Sequence, residues 1–156
     1  MINYFMKRAL IEAETAYEMG EVPIGCIIVK NGKIIASAYN LKEEYKDATA
    51  HAEILAIQEA SLNLEAWRLS GCTMYVTIEP CAMCAGAIVN SRIDKLVIGS
   101  MDEKAGACGS VLNIVENDKL NHKVEVISGV LEEECSNMMK NFFKNLRNRN
   151  KLNKER

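Results

Sequence analysis

Two short segments carry residue types that bind metal ions and transfer protons. They are His51-Ala52-Glu53 and Pro80-Cys81-Ala82-Met83-Cys84. If Pro80 opens a helix at its first turn, Cys81 and Cys84 lie on one face of that helix, near its positive end. Two thiolates and one imidazole form a three-ligand zinc set that leaves a fourth position for water, as catalytic zinc sites do. Only His51 and His122 can supply the imidazole.

Glu53 is the residue that we expect to move protons. It follows His51 by two positions, which is a rotation of roughly 200° on a helix, so it should not ligate beside His51. A bound zinc lowers the pKa of water to about 7. A nearby carboxylate can then carry a proton from that water to a substrate nitrogen. The pattern therefore predicts Glu53 as the catalytic acid and base.

Four other cysteines lack the spacing of metal ligands. We interpret Cys26 and Cys135 as small buried hydrophobic residues, because free cysteine commonly behaves in that way. Either Cys72 or Cys108 would convert an open catalytic site into a closed structural one if it supplied a fourth ligand. The spacing leaves that alternative open.

The overall composition is that of a globular protein. The 156 residues are 49% hydrophobic and 26% charged, with a net charge of −2, and we expect a single domain over 1–156. No apolar run approaches the roughly 20 residues of a membrane span. The first residues include Glu12 and Glu14 and lack the layout of a signal peptide, so we expect a cytoplasmic protein.

Charge is distributed unevenly along the chain. Residues 140–156 contain seven basic residues and one acidic residue, which gives this tail a charge of +6 against −8 for the remainder. A basic helical tail can contact phosphates, although a solvated end with no partner has the same composition.

Periodicity and turn residues predict alternating helices and strands. Asn31-Gly32 is a strong hairpin signal between the first two strands. The predicted helices are 3–19, 51–62, 80–91 and 131–148, the predicted strands are 24–29, 33–39, 73–77, 95–100 and 124–128, and 40–49 and 101–110 are predicted loops. This order favours a three-layer α/β/α fold with a mixed five-stranded sheet.

The H-x-E and P-C-x-x-C segments, in this order, form the signature of zinc deaminases. Beyond that signature, the chain closely resembles bacterial tRNA-specific adenosine deaminases, which convert adenosine to inosine at the wobble position of the anticodon. The resemblance spans about residues 4–147. Its segments are EVPIG at 21–25, TAHAEI at 49–54, YVTIEPCAMCAGA at 75–87, SRI at 91–93, MDEKAGACGS at 101–110, NHKVE at 121–125 and the pair at 142–143.

The resemblance implies a cytidine deaminase-like fold, one Zn²⁺ per subunit and a homodimer that binds a tRNA anticodon stem-loop. It makes His51, Cys81 and Cys84 the zinc ligands and Glu53 the proton carrier, and it implies a structural role for His122. The substrate-binding residues that it implies are Asn40, Asp102, Lys104, Phe142 and Phe143.

Two alternatives share part of the pattern. A deaminase of a free base or nucleoside, such as guanine or cytosine, has the same two segments but no need for the 101–110 loop or the basic tail. A non-catalytic zinc module that binds RNA would need a fourth ligand and has no use for Glu53.

Overall fold

The structure, a computed structural model, describes residues 1–156. Its five strands are β1 (Gly25–Lys30), β2 (Lys33–Tyr39), β3 (Cys72–Ile78), β4 (Lys95–Ser100) and β5 (Glu125–Ile127). Its helices are α1 (Ile2–Glu18), α2 (Lys42–Tyr45), α3 (Ala52–Leu64), α4 (Ala82–Asn90) and α5 (Glu132–Lys154). None of these helices has the length and apolar character that crossing a membrane requires.

One mixed sheet in the order β2-β1-β3-β4-β5 forms the centre of the fold. The strand β1 is antiparallel to both β2 and β3, whereas β3, β4 and β5 run parallel. Asn31 and Gly32 both have positive φ values, of 51° and 75°, as the tight turn between β1 and β2 requires. The predicted mixed five-stranded sheet is confirmed.

Alternation along the strands produces two hydrophobic cores, one on each face of the sheet. Cys26, Ile28 and Met74 belong to the core that α3 and α4 cover, whereas Ile27 and Tyr75 belong to the core that α1 and α5 cover. The strands thus lie between two helical layers, and the predicted three-layer arrangement is confirmed.

Two predicted boundaries differ near the sites. The sequence predicts that Pro80 opens α4, but Cys81 is the N-cap and the helix begins at Ala82. His51 is likewise the N-cap of α3, with extended backbone angles (φ −78°, ψ 151°), rather than its first helical residue. A residue outside the helix is not constrained to helical rotation, so the 200° argument does not describe the placement of Glu53.

The predicted loop 40–49 contains the short helix α2. The N-cap residue of α2, Leu41, makes no capping bond with its side chain, but Oδ1 of Asn40 accepts from the N–H of Lys42 (3.2 Å). The buried carboxylate of Glu21 accepts hydrogen bonds from the next two N–H groups, of Glu43 (3.0 Å) and Glu44 (2.7 Å). Because Glu21 lies 22 residues from Glu43, local periodicity could not reveal its bonds to α2.

The helix α5 also continues to Lys154, six residues beyond the predicted end.

Candidate active site

The N-terminal ends of α3 and α4 bring three metal-binding side chains together. The Nδ1 atom of His51 lies 3.6 Å from Sγ of Cys81 and 3.5 Å from Sγ of Cys84. All three ligand atoms lie within 4.8 Å of one another. Each side chain belongs to an N-cap or a first helical turn, where the helix dipole favours negative charge.

The two thiols of this cluster differ in their affinity for a proton. Hydrogen bonds from Cys84 and His51 lower the pKa of Cys81 to about 3. The hydrogen bond to Cys81, together with burial, raises the pKa of Cys84 well above its ordinary value. The hydrogen bond to Cys81 also raises the pKa of His51. The low pKa of Cys81 favours its thiolate, and a divalent cation would favour ionisation of the second thiol as well.

Glu53 lies beside the cluster without belonging to it. Its side chain is 3% exposed, and its Oε1 atom has no hydrogen-bond partner. Burial raises the pKa of this carboxyl to about 7. A buried oxygen without a donor is costly in a folded protein and is characteristic of sites that bind or transfer a proton.

No further cysteine joins the His51-Cys81-Cys84 cluster. Cys108 is buried, but its Sγ lies 4.0 Å from the carbonyl oxygen of Pro80 and it is not among the clustered ligands. Cys72 begins β3, at the opposite end of that strand from Cys81. Cys26 and Cys135 are fully buried in the two cores, as predicted. The cluster thus contains three residues that could hold a metal ion, and neither Cys72 nor Cys108 joins it as a fourth.

His122 lies outside the cluster. Its Nε2 atom is 2.7 Å from the carbonyl oxygen of Ile93, which fits the structural role expected for it.

Asn40 is buried directly after β2, where its side chain bonds the segment before β1 and the start of α2. Its Nδ2 donates to the carbonyl of Val22 (3.2 Å), and its Oδ1 accepts from the N–H of Lys42 (3.2 Å). The next residue, Leu41, donates its N–H to the carbonyl of Ala50, directly before His51. These bonds leave one amide hydrogen and one lone pair of Asn40 free, and its binding of a substrate stays a prediction.

The other predicted substrate-binding residues meet at a cleft of about 1030 Å³ between the 101–104 segment and α5. Asp102, Lys104 and Phe143 all line it. Phe142 does not: it is 9% exposed and packs against Tyr17 with ring centroids 5.7 Å apart. Of the two phenylalanines, only Phe143 lines this cleft, and substrate contact by either of them stays a prediction.

The sequence reasoning missed one charged residue next to the ligand pair, Glu79. It is 4% exposed, and its carboxylate accepts hydrogen bonds from a loop that is distant in sequence. An acidic residue placed directly after an apolar strand and before Pro80 was the available signal. The donors lie 23 to 31 residues away, so only the fold identifies them.

Comparisons with known proteins agree with this geometry. A family profile described as MafB19-like deaminase matches residues 2–147. A tRNA-specific adenosine deaminase of Bacillus subtilis (strain 168) is 52% identical over 147 residues, which cover 94% of this chain and 91% of that protein. The chain belongs to the tRNA-specific adenosine deaminase family. A second family member, from Aquifex aeolicus (strain VF5), is 52% identical over 94% of this chain and 96% of its own.

A solved structure supports the same assignment to the deaminase family. One comes from a study of A-to-I editing by tRNA:A34 deaminases at the wobble position of transfer RNA. It superposes with a TM-score of 0.84 at 43% identity, covering 86% of this chain and 98% of the other. The predicted cytidine deaminase-like fold and the resemblance stated from sequence are both confirmed.

Proposed function

We propose that this protein hydrolytically deaminates adenosine to inosine at the wobble position of a tRNA anticodon. The observation that carries the proposal is the pairing of a His51-Cys81-Cys84 cluster with a buried, unpartnered Glu53 oxygen. The relatives at 52% identity, which match nearly the whole chain, are named tRNA-specific adenosine deaminase. A reaction on tRNA would also place the protein in the cytoplasm.

The donor set fits a catalytic Zn²⁺ ion. Nitrogen and sulfur are the ligands that zinc prefers, and three protein ligands leave one position for water. His51, Cys81 and Cys84 would hold one ion per subunit. When bound, zinc supplies Lewis-acid activation of the attacking water.

The chain's own contribution to the chemistry is proton transfer by Glu53. Its carboxylate accepts a proton as water adds to C6 of the adenine and delivers a proton to N1. It then takes the second proton, from the new C6 hydroxyl, and delivers it to the amine, which leaves as ammonia as the C6–N bond breaks and the C6 carbonyl of inosine forms. A group with a pKa of about 7 can both accept and donate a proton near neutral pH. Asn40, with its remaining donor and acceptor, would hold the nucleoside in place.

An adenine must leave its stack to enter such a site. A base in an anticodon loop can be extruded at lower cost than one in a duplex. The cleft beside α5 offers Lys104, Lys140 and Arg147 for flanking phosphates and Phe143 for stacking on a neighbouring base. These features favour RNA over a free base, which needs neither the cleft nor the basic tail.

We also propose that the protein acts as a homodimer, as the family resemblance implies. Apolar side chains are exposed close to the site, on α4 and on the loop that follows β4: Met83, Val111 and Leu112. Ala107 of that loop donates its N–H to the carbonyl of Pro80 at 2.8 Å, so both segments flank the metal ligands. Sedimentation analysis of the wild type and a Leu112→Asp variant tests this surface, and a wild-type monomer at micromolar concentration would exclude the dimer.

The function is tested by deamination of a synthetic anticodon stem-loop that carries a wobble adenosine. Free adenosine, adenine, guanine and cytosine are assayed in parallel. Inosine formed only in the stem-loop supports the proposal. Turnover of a free base alone would establish the alternative of a small-molecule deaminase, and no turnover of any substrate by metal-loaded protein would favour the non-catalytic module.

A further inference from the structure

Glu79 is a buried anion with an unusual number of donors and no cation. Its Oε1 accepts from the N–H of Asp102 (2.9 Å) and from the Ser110 hydroxyl. Its Oε2 accepts from the N–H groups of Cys108 (2.9 Å) and Ser110 (3.1 Å). The ion pairs of the chain, Lys95–Glu125 and Lys123–Asp118, do not involve it. The negative charge of Glu79 is therefore stabilised only by hydrogen-bond donors of the loop 102–110.

The loop is built to admit this carboxylate. A Cβ atom at Gly106 would overlap both the carboxyl group of Glu79 and the carbonyl of Asp102. Three N–H groups that converge on one carboxylate leave no room for slippage of the backbone, because each lost contact would leave a donor unsatisfied. The loop thus closes around Glu79 instead of merely lying beside it.

The same residue joins this loop to the metal ligands. Glu79 follows β3 directly and precedes Pro80-Cys81 in the chain, and its own N–H donates to the carbonyl of Ser100 at 2.8 Å. From Asp102 the loop continues to Lys104, and both residues line the cleft. The Oδ1 atom of Asp102 accepts from the Lys104 N–H at 3.0 Å, which fixes the turn that presents Lys104.

We infer that Glu79 is a positioning residue for substrate recognition: it fixes the 102–110 loop, and through it Asp102 and Lys104, relative to the metal ligands. This inference rests on the proposed function insofar as the recognised substrate is RNA. Glu79 does not reach the cleft itself, so it acts through the loop. A loop released from Glu79 would occupy its RNA-binding conformation for a smaller fraction of the time, which raises KM without altering proton transfer.

The test is Glu79→Gln, which keeps the shape but replaces one acceptor by an NH₂ group. The Gln side chain can direct its NH₂ toward the Ser110 oxygen, but it then opposes the N–H of Asp102. We expect KM for the anticodon stem-loop to rise about tenfold, with kcat changed less than about threefold and metal content unchanged. Amide hydrogen exchange over 101–110 should accelerate about tenfold, while β3 and α4 keep their protection.

Glu65→Gln is the matched control, because it removes the same charge from an exposed position at the end of α3. Ser110→Ala, which removes only the hydroxyl donor, provides a milder variant should Glu79→Gln fail to fold. We expect it to change KM and loop exchange in the same direction, by about threefold.

Each readout can overturn the inference. If loop exchange or KM in Glu79→Gln equals that of Glu65→Gln, Glu79 does not position the loop for substrate. A fall in kcat with unchanged KM would assign Glu79 to the chemistry instead. If wild-type protein does not act on the stem-loop, the proposed function fails, and the exchange data still decide whether Glu79 holds the loop.

Discussion

Two carboxylates buried at the same end of the sheet, Glu53 and Glu79, have opposite surroundings. Glu53 has an oxygen with no donor, and burial raises its pKa to about 7. Burial opposes ionisation of Glu79 as well, but the Ser110 hydroxyl and three backbone N–H groups outweigh it and hold the pKa below its ordinary value. Both side chains are less than 5% exposed. The number of fixed donors, more than burial, separates a group that can exchange protons from a permanent anion.

The sharpest test of this difference is the same substitution at both positions. Glu53→Gln should lower kcat by about 10²–10⁴-fold, because an amide cannot accept and return the proton. KM for the stem-loop and the bound metal should stay close to wild type. Steady-state kinetics and metal analysis provide the measurements. If Glu53→Gln instead raises KM and leaves kcat unchanged, the two carboxylates do not have different roles, since that is the result expected at Glu79.

A second test removes a ligand next to Glu53. Cys84→Ser should lose the metal, abolish turnover and lower the free energy of unfolding, because ligand binding is coupled to folding. Metal content by atomic absorption and denaturant unfolding check this. Cys108→Ala is the control: it alters a buried thiol near the site that is not among the clustered ligands, so it should retain the ion. Full metal retention in Cys84→Ser would exclude Cys84 as a ligand.

Glu21 is a third buried carboxylate, and it accepts fewer hydrogen bonds than Glu79 does. The Glu21 side chain accepts two backbone N–H groups at the start of α2, from Glu43 and Glu44, where Glu79 accepts four bonds. Glu21→Gln should therefore destabilise the fold by about 1–2 kcal/mol, measured by urea unfolding. Glu79→Gln should cost more. If Glu21→Gln lowers the free energy of unfolding as much as Glu79→Gln does, or more, the number of hydrogen-bond donors does not determine how much these carboxylates stabilise the fold.

The smallest effect is expected from the exposed end of α5. Removing residues 148–156 deletes four basic residues and should raise KM for the stem-loop by about three- to tenfold. The salt dependence of binding should also weaken, because fewer phosphates are neutralised. Glu79→Gln, which removes no phosphate contact, should leave the salt slope unchanged. An unaltered KM and slope in the truncated protein would show that the tail is a solvated end.

Local sequence was enough to predict much of the fold and the clustering of His51, Cys81 and Cys84. The three-residue spacing of Cys81 and Cys84 directs both sulfurs to one side of a helix start, and this holds although Pro80 lies outside the helix. The β-branched run at 24–29 and the strand-like segment at 73–77 likewise predicted β1 and β3. In each case the signal lies within a few residues of the feature that it predicts.

What could not be predicted depends on contacts between distant segments. Glu21 accepts N–H groups at the start of α2 from 22 residues away, and Glu79 accepts N–H groups of the 102–110 loop across a similar distance. The different roles of Phe142 and Phe143 also required the structure, because adjacent residues on a helix point about 100° apart and only the packing of α1 shows which one is buried.

The bonds to Glu79 have a consequence for engineering the enzyme. Three of its four donors are backbone N–H groups, which every residue except proline provides. The side chains at 103–105 are exposed and are not needed for the anchor. A library randomised at those three positions can therefore sample new substrate contacts on an unchanged backbone. Insertions between 102 and 110, or proline at 108, would displace or remove N–H donors to Glu79 and so change the backbone conformation of the loop.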